Sequence, residues 1–275
     1  MTPDATTVVP PRDAATLMLV RDGGLGLEVF MVRRALSATF VGGAFVFPGG
    51  TLDPADRHAE VEAMCNGLTD AEASTRLGIG AGGLAFWVAA VRECFEEAGL
   101  LLARAADGRP VGFDDPVVAA RFAGHREALT SNRGSMSELC RQENLRLSVG
   151  DIHYFAHWIT PTAAPRRFDT RFFVAAAPLD QDPLHNPGEL IGQAWIRPAD
   201  AIEGHRQGTF DLILPTIRNL EAIARFERAE DLLNAAAAVP SVPTVVPRLV
   251  QDDEGLRILL PGDPGYTNDL VEERA

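Results

Sequence analysis

The chain has 275 residues, of which 46% are apolar and 23% charged, a composition typical of a globular protein that buries a sizeable core. Its net charge of −13 argues against general nucleic-acid binding, which depends on neutralising phosphates with basic residues. No apolar run reaches the roughly 18 residues that a membrane-spanning helix needs, so no membrane partner is expected. Three cysteines without metal-ligand spacing (Cys65, Cys94, Cys140) are typical of reduced thiols, which predicts a cytoplasmic location.

The first half of the chain predicts strands followed by a helical segment. Residues 1–13 are rich in Pro and Thr and are predicted to be disordered. Residues 14–20 and 27–34 predict two strands joined by a glycine-rich hairpin, and residues 45–47 predict a short third strand. Residues 57–77 predict one or two polar, alanine-rich helices.

The second half predicts helices and strands in alternation. Helical periodicity covers residues 84–98, 116–130, 136–144, 198–207 and 215–229. Apolar or alternating runs predict strands at residues 154–160, 167–177 and 189–196. A proline-rich C-terminal extension at 240–275 includes a predicted hairpin at 245–260. Strands with interspersed helices indicate an α/β sandwich.

The most informative segment is a cluster of carboxylates at residues 92–100, Arg-Glu-Cys-Phe-Glu-Glu-Ala-Gly-Leu. On a helix Glu93 and Glu97 are i,i+4 neighbours and Glu96 lies beside Glu93 at i,i+3, so their like charges repel. Most acidic helix faces are solvated surface. Here, however, an apolar run at 85–91 anchors the helix in the core. Hard oxygen ligands on a rigid helix are what Mg²⁺ or Mn²⁺ requires, so the segment is a candidate metal site.

A second segment lies upstream and reads AFVFPGGTLD at residues 44–53. A short apolar strand ends at Pro48, and Gly49 and Gly50 predict a turn where backbone can approach a ligand closely. Taken alone, this pattern is that of an ordinary strand-ending turn. Its position before the carboxylate helix makes it more informative.

Together the two segments resemble the signature of the Nudix hydrolase family, G-x5-E-x7-R-E-U-x-E-E-x-G-U, where U is a bulky apolar residue. The residues that fit its second half are Arg92, Glu93, Cys94, Glu96, Glu97, Gly99 and Leu100. Gly50 fits the first glycine, and counting six residues on reaches Asp56, where the family has Glu. The arginine expected at position 64 is at 92, so the signature is interrupted by about 28 residues. The spacing leaves open on which side of Asp56 the break falls.

A branch of the family that includes mammalian peroxisomal coenzyme A diphosphatases is similar in having this interruption. In this chain the insert covers about residues 57–82, and residues 166–178 and 214–220 also resemble that branch. The resemblance implies a Nudix-type α/β/α sandwich over residues 14–239. It further implies a helical insert inside the Nudix signature and extra C-terminal helices.

The resemblance also implies metal-dependent hydrolysis of a nucleoside-diphosphate-linked substrate. Water attacks a phosphorus atom, and Mg²⁺ or Mn²⁺ stabilises charge on the phosphoryl oxygens. The predicted metal ligands are Glu93, Glu96, Glu97 and the Gly50 carbonyl. Glu93 or Glu97 is predicted to handle the proton of the water, and Arg92 to orient the glutamates.

The predicted substrate is a small-molecule diphosphate. Because the whole chain is acidic, a local cluster of positive charge is needed to bind it. The candidate contacts are Arg33, Arg34, Arg167 and Glu189. Each of them has an alternative interpretation as a solvated surface residue. Glu189 lies in a loop before a strand, where several Nudix enzymes place a base.

Coenzyme A-type Nudix enzymes carry an upstream pattern, roughly LLTxR[SA]x3Rx3Gx3FPGG. Arg34, Ala35 and Gly43 fit this pattern, whereas Thr39 stands where a second arginine belongs. Coenzyme A or acyl-coenzyme A is therefore the predicted substrate. ADP-ribose, NADH or a dinucleoside polyphosphate is the alternative. A catalytically silent Nudix-fold sensor is disfavoured because all three glutamates are present.

The insert has three interpretations: a lid, a dimer contact or an inert surface excursion. Its small residues and polar charge pattern indicate an exposed helical excursion. Because Nudix enzymes are often dimers, the resemblance favours a homodimer.

Overall fold

The structure is a computed structural model that describes residues 8–36, 42–183, 190–252 and 255–267. Its helices are α1 (Asp70–Leu77), α2 (Leu84–Ala98), α3 (Pro116–Thr130), α4 (Met136–Glu143), α5 (Pro198–Arg206), α6 (Leu214–Ile223) and α7 (Ala229–Ala237). Its strands are β1 (Arg12–Gly23), β2 (Gly26–Arg34), β3 (Phe45–Val46), β4 (Gly49–Thr51), β5 (Ala103–Ala105), β6 (Leu145–Leu147), β7 (His153–Ile159), β8 (Phe168–Ala176), β9 (Leu190–Ile196), β10 (Thr244–Val245), β11 (Arg248–Asp252) and β12 (Gly255–Leu259). Short 3-10 turns lie at Pro54–Arg57, Glu62–Met64 and Val149–Asp151.

Eight strands form one mixed sheet with β1 at its centre. The sheet has the order β10-β7-β8-β1-β2-β3, while β4 also pairs with β1 and β9 with β2. β1 runs parallel to β8 and antiparallel to β2 and β4. The short strand β4, which contains both glycines of the FPGG segment, is therefore held against the middle of the sheet.

Helices cover both faces of this sheet. Along β1, Leu17 and Leu19 pack in the apolar cluster that contains α2, whereas Met18 and Val20 pack in the cluster that contains α5, α6 and α7. Alternate residues of a strand point to opposite faces, so a central strand covered on both sides is apolar throughout. This arrangement confirms the predicted α/β/α sandwich.

Helix α2 begins and ends at the predicted residues and is buried along most of its length. Trp87 is fully buried, and its Nε1 donates a hydrogen bond to the Ile152 carbonyl at 2.9 Å. A buried indole needs such an acceptor, and this one fixes the helix to the segment before β7. The apolar half of α2 thus anchors the acidic half.

The insert belongs to the core, and the expected exposed excursion is wrong for part of it. Val61, Cys65 and Ala73 are buried in the same apolar cluster as α2. The Asn66 amide donates to the Leu147 carbonyl at 2.9 Å, which joins the insert to the end of β6. The apolar residues of the insert are too widely spaced to show a helical or strand periodicity. Their burial was therefore not predicted, and it results from contacts with distant segments.

The predicted single helix at 215–229 is wrong, because α6 ends at Ile223 and α7 begins at Ala229. The carboxylate of Asp22, in the β1–β2 hairpin, accepts a hydrogen bond from the Ala229 amide at 2.7 Å. A carboxylate at this position stabilises a helix start. Because the cap comes from a distant hairpin, local periodicity does not reveal the break.

The N-terminal boundary departs from the prediction, whereas the predicted C-terminal hairpin is present. Disorder over residues 1–13 is wrong for Arg12 and Asp13, because both pair with β8. In the C-terminal extension, the predicted hairpin forms from β11 and β12, and β10 pairs with β7. The extension is therefore joined to the central sheet.

Asp70 links the insert to the start of α2. Its carboxylate accepts hydrogen bonds from the amides of Gly82 at 2.9 Å and Leu84 at 3.0 Å. Amides at a helix start have no partner within the helix, so this contact satisfies them from α1. Burial raises the pKa of Asp70, but the two backbone hydrogen bonds outweigh it, so the pKa lies below its ordinary value.

We expect Asp70→Ala to lower the free energy of unfolding by about 0.5–2 kcal/mol near neutral pH, as for other capping residues. A depressed folded-state pKa stabilises the fold above the unfolded-state pKa of 3.8, and this stabilisation is lost as the pH falls through the folded-state value. Urea denaturation of both proteins across the acid range measures the difference. If Asp70→Ala lowered the free energy of unfolding equally at all pH values, the capping role of the Asp70 carboxylate would be contradicted. Asp151→Ala is the control, because it removes an exposed carboxylate.

Candidate active site

The last turn of α2 carries the predicted glutamates and is held from outside the helix. Gly99 has a φ of 72°, and its amide donates to the Phe95 carbonyl at 2.9 Å, which ends the helix. Arg126 of α3 donates from Nε to the Glu96 carbonyl at 3.0 Å and from Nη2 to the Glu97 carbonyl at 2.9 Å. These carbonyls would otherwise lack partners at a helix end. The backbone beneath the glutamates is therefore fixed.

Arg92 makes a buried ion pair with Asp56, across the insert. Its Nε lies 3.0 Å from Asp56 Oδ1 and its Nη2 lies 2.9 Å from Oδ2, and only 3% of Asp56 is exposed. Nη2 also donates to the Thr51 carbonyl at 2.9 Å. Nη1 donates to Glu93 at 2.9 Å and lies 3.4 Å from Glu96. This network suits the orienting role predicted for Arg92.

The carboxylates of this network keep Arg92 in its charged form. Burial alone would lower the pKa of Arg92, but the hydrogen bond to Asp56 and the charge of Glu93 outweigh it and raise the pKa. Arg92 therefore stays charged, as buried arginines do. Because Asp56 is the partner of Arg92, the interruption of the signature falls after Asp56.

Strand β4 brings two glycines against two of the glutamates. The Gly49 amide donates to Glu97 Oε2 at 3.0 Å. A Cβ atom on Gly50 would lie 2.5 Å from Glu93 Oε1, so only glycine leaves room for that carboxylate. Both glycines pair with β1 in a strand, so the predicted turn is wrong. Close packing, and not turn geometry, accounts for glycine here.

Glu93 is a poorly solvated carboxylate. Burial raises its pKa to about 7, with Arg92 lowering the pKa and Glu96 raising it again. The charged form of such a group gains from any additional cation nearby. The site therefore favours the arrival of positive charge.

The side chains of the three glutamates are not grouped around a single metal position. Within the described ranges, no group of three or more His, Cys, Asp or Glu side chains is placed to hold one ion. Arg92 contacts Glu93 and Glu96, and the Gly49 amide contacts Glu97. The available ligand atoms are all oxygens, which Mg²⁺ and Mn²⁺ prefer, so the residue types fit such an ion.

A cavity of about 630 Å³ opens beside these residues. Gly50, Glu93 and Glu97 line one part of it, whereas Glu96 does not line it. Most of the other walls are apolar and come from β7, β8, the start of α6 and the C-terminal hairpin. The largest of these side chains are Trp158, Phe168, Phe172, Leu214, Leu249 and Ile258.

The predicted substrate contacts separate into different places. Arg34 lines the cavity, and its Nε is buried without a hydrogen-bond partner among the described residues. Arg33 does not line the cavity, because successive residues of β2 face opposite ways, and its Nε donates to a loop carbonyl at 2.9 Å. Arg167 is buried elsewhere and donates to the Thr160 carbonyl at 3.0 Å. Glu189 lies outside the described residues.

Sequence reasoning missed Arg126 and the apolar walls. Arg126 lies in an ordinary helical pattern, and no local signal relates it to the end of α2. The walls come from segments whose alternation predicts strands but not what their faces contact. The partner of Arg92 had a signal, because Asp56 lies at the signature spacing from Gly50.

Comparisons with known proteins agree with this geometry. A family model described as the NUDT19 Nudix domain matches residues 79–223, which is more than half of the chain. The chain is 28% identical to the acyl-coenzyme A diphosphatase NUDT19 of Homo sapiens, over 89% of this chain and 73% of that protein. It is 26% identical to the protein of the same name from Gallus gallus, over 94% and 80% of the two chains. A crystal structure of a NUDIX hydrolase from Alicyclobacillus acidocaldarius has a TM-score of 0.66 and 28% identity, covering 86% of this chain and 99% of that one.

We expect Asp56→Ala to lower the free energy of unfolding by about 1–3 kcal/mol, because it removes the buried acceptor of Arg92 Nε, while Glu93 still pairs with Nη1. Denaturation in urea measures the change. The matched control is Asp200→Ala, which removes an exposed bidentate pair with Arg197 whose contacts are both 2.7 Å. Exposed pairs contribute little, so the control should remain close to the unsubstituted protein. Equal effects of the two substitutions would contradict the structural role of Asp56.

Proposed function

This chain belongs to the Nudix hydrolase family, and we propose that it hydrolyses the diphosphate of coenzyme A or of an acyl-coenzyme A with a divalent metal ion. The names of the human and chicken relatives support this substrate class. The partial upstream pattern, with Arg34, Ala35 and Gly43, supports it as well.

The observation that carries the proposal is one cavity that joins carboxylates to an apolar wall. Its volume of about 630 Å³ is in the range of small-molecule sites. A coenzyme A thioester has a charged diphosphate and a long, weakly polar arm. Glu93 and Glu97 provide the acidic part of the lining, and the large apolar side chains suit the arm.

Glu93, Glu96, Glu97 and the Gly50 carbonyl are the proposed ligands of Mg²⁺ or Mn²⁺. The oxygen-only donor set and the poorly solvated charge of Glu93 support this assignment. A bound ion supplies charge stabilisation at the phosphoryl oxygens and makes a bound water more acidic.

The protein groups position the reaction and accept a proton. Arg92 holds Glu93 through Nη1, and the Gly49 amide holds Glu97 Oε2. Glu93 or Glu97 takes a proton from the attacking water as the water oxygen bonds to phosphorus. The bond between that phosphorus and the bridging oxygen breaks, and the second phosphate leaves.

Arg34 is the proposed contact for the diphosphate. A buried donor without a partner is costly, and Arg34 Nε is in that state within the described part of the chain. Guanidinium groups bind phosphate through paired hydrogen bonds. A phosphate oxygen in the cavity would give Arg34 the acceptor it lacks. Arg167 also has a buried nitrogen without a partner among the described residues, but neither Arg33 nor Arg167 lines the cavity, so Arg34 has the stronger support.

ADP-ribose, NADH and dinucleoside polyphosphates are the alternative substrates. They carry the diphosphate but not the long, weakly polar arm of a coenzyme A thioester, so the apolar walls favour coenzyme A species over them. A silent sensor would be expected to lack a carboxylate of the signature, and Glu93, Glu96 and Glu97 are all present.

The described helices are all too short or too polar to cross a membrane. The cytoplasmic location and the homodimer stay predictions from the sequence.

We expect Glu97→Gln to reduce Mg²⁺-dependent hydrolysis by at least about 100-fold, because it removes the carboxylate charge proposed to bind the metal ion and to accept the proton of water. Turnover is measured on coenzyme A, acyl-coenzyme A, ADP-ribose, NADH and diadenosine polyphosphates, with products identified by mass. Release of phosphopantetheine or acyl-phosphopantetheine with 3′,5′-ADP supports the proposed substrate. The control is Glu127→Gln on the exposed side of α3. Unchanged turnover in Glu97→Gln would remove it from the site, and no hydrolysis of any compound would favour the sensor.

We expect Gly50→Ala to reduce turnover by about 100-fold while the fold is kept, because the new Cβ displaces the Glu93 carboxylate. Circular dichroism and steady-state kinetics measure the two effects. Gly80→Ala is the matched control, since a Cβ there meets nothing within 4 Å. Full activity in Gly50→Ala would mean that the position of Glu93 does not matter for hydrolysis.

A further inference from the structure

The C-terminal hairpin forms part of the active-site cavity. Pro247, Leu249 and Ile258 line the same cavity as Glu93 and Glu97. These hairpin residues lie outside residues 79–223, the part that matches the family model. The hairpin therefore adds a wall that the catalytic signature does not include.

One face of the hairpin carries three large apolar side chains and one polar residue, Gln251, from the cavity outward. Leu249 and Ile258 are directly opposed across β11 and β12, so their side chains lie side by side on one face. The next pair on that face is Gln251 and Leu256, because side chains alternate along a strand. Leu249, Ile258 and Leu256 are 37%, 49% and 65% exposed, so exposure rises away from the hairpin base. The result is an apolar track that begins in the cavity and continues onto the surface.

The base of the hairpin is fixed to β7, a strand that also lines the cavity. β10 pairs with β7, where Val245 is the register partner of Trp158. Thr244 Oγ1 and His157 Nδ1 share a hydrogen bond of 2.8 Å, and Tyr266 donates to the Val246 carbonyl at 2.9 Å. The hairpin is thus held next to β7, and Leu249 and Ile258 line the same cavity as Trp158.

We propose that the Leu249–Ile258 face of the hairpin binds the acyl chain of an acyl-coenzyme A and sets the preference for chain length. The inference rests on the proposed function. Glu93, Glu97 and the hairpin line one cavity, so an arm that extends from a diphosphate at the glutamates would carry its acyl end toward the hairpin. The charged residues of the lining are Arg34, Glu93 and Glu97, so the hairpin side offers an alkyl chain apolar contact without an opposing charge.

The test compares the activity of the full chain and of Leu249→Ala/Ile258→Ala on coenzyme A and its butyryl, octanoyl and lauroyl thioesters. In the unsubstituted protein, kcat/KM should rise with chain length. In the double variant, the ratio of kcat/KM for lauroyl-coenzyme A to that for coenzyme A should fall by about tenfold or more, mainly through KM. Leu256→Ser should lower the ratio for the longest chain and spare the butyryl ester, and because Leu256 is exposed, the fold does not depend on it.

Leu259→Ala is the matched control, because Leu259 pairs with Arg248 on the opposite face of the hairpin. An unchanged chain-length profile in the double variant, with the unsubstituted protein active, would overturn the acyl assignment alone. Loss of a dimer on sedimentation together with an unchanged profile would assign the face to a second copy of the chain and overturn it as well. No hydrolysis of any coenzyme A species by the unsubstituted protein would overturn the proposed function, and the acyl assignment with it.

Discussion

The buried ion pair between Arg92 and Asp56 is the constraint on which the site depends. A guanidinium removed from water must have its donors satisfied, since a buried unpaired charge costs several kcal/mol. Arg92 meets this demand with groups from both halves of an interrupted signature, namely Asp56 and the Thr51 carbonyl on one side and Glu93 on its own helix. The same side chain therefore joins the two halves and aligns a glutamate. The pair connects the residue before the insert to the helix that follows the insert.

Helix α2 is rigid because other segments satisfy its ends. Asp70 of the insert accepts from amides at its start, and Arg126 of α3 donates to carbonyls at its end. Between these ends, Gly50 allows the Glu93 carboxylate to contact β4 closely. Rigid support of this kind keeps catalytic groups in productive positions. The insert is consequently a structural partner of the catalytic helix, joined to it by hydrogen bonds and by a shared core.

Several elements followed directly from the sequence, and the exceptions have a common cause. Helices α2 and α3 begin and end where periodicity predicted, because signals next to them in the sequence mark an end: Gly99 follows α2, and Asp115 caps the start of α3. The break between α6 and α7 was missed because its cap, Asp22, comes from the β1–β2 hairpin. The burial of the insert was missed because it depends on contacts near β6. Local patterns report local interactions, and these features depend on distant ones.

The sequence by itself determined the signature glutamates, their helix and the family, since these depend on residue type and short spacing. Only the tertiary structure decided that the interruption follows Asp56, because that depends on which carboxylate reaches Arg92. It also decided that Arg34 faces the cavity while Arg33 and Arg167 do not. Arg33 and Arg34 are adjacent in a strand and point to opposite sides, and Arg167 is buried away from the cavity lining. The contribution of the C-terminal hairpin to the cavity was likewise a tertiary result. Residues 249 and 258 are far from the signature in sequence, and only the pairing of β10 with β7 brings them to it.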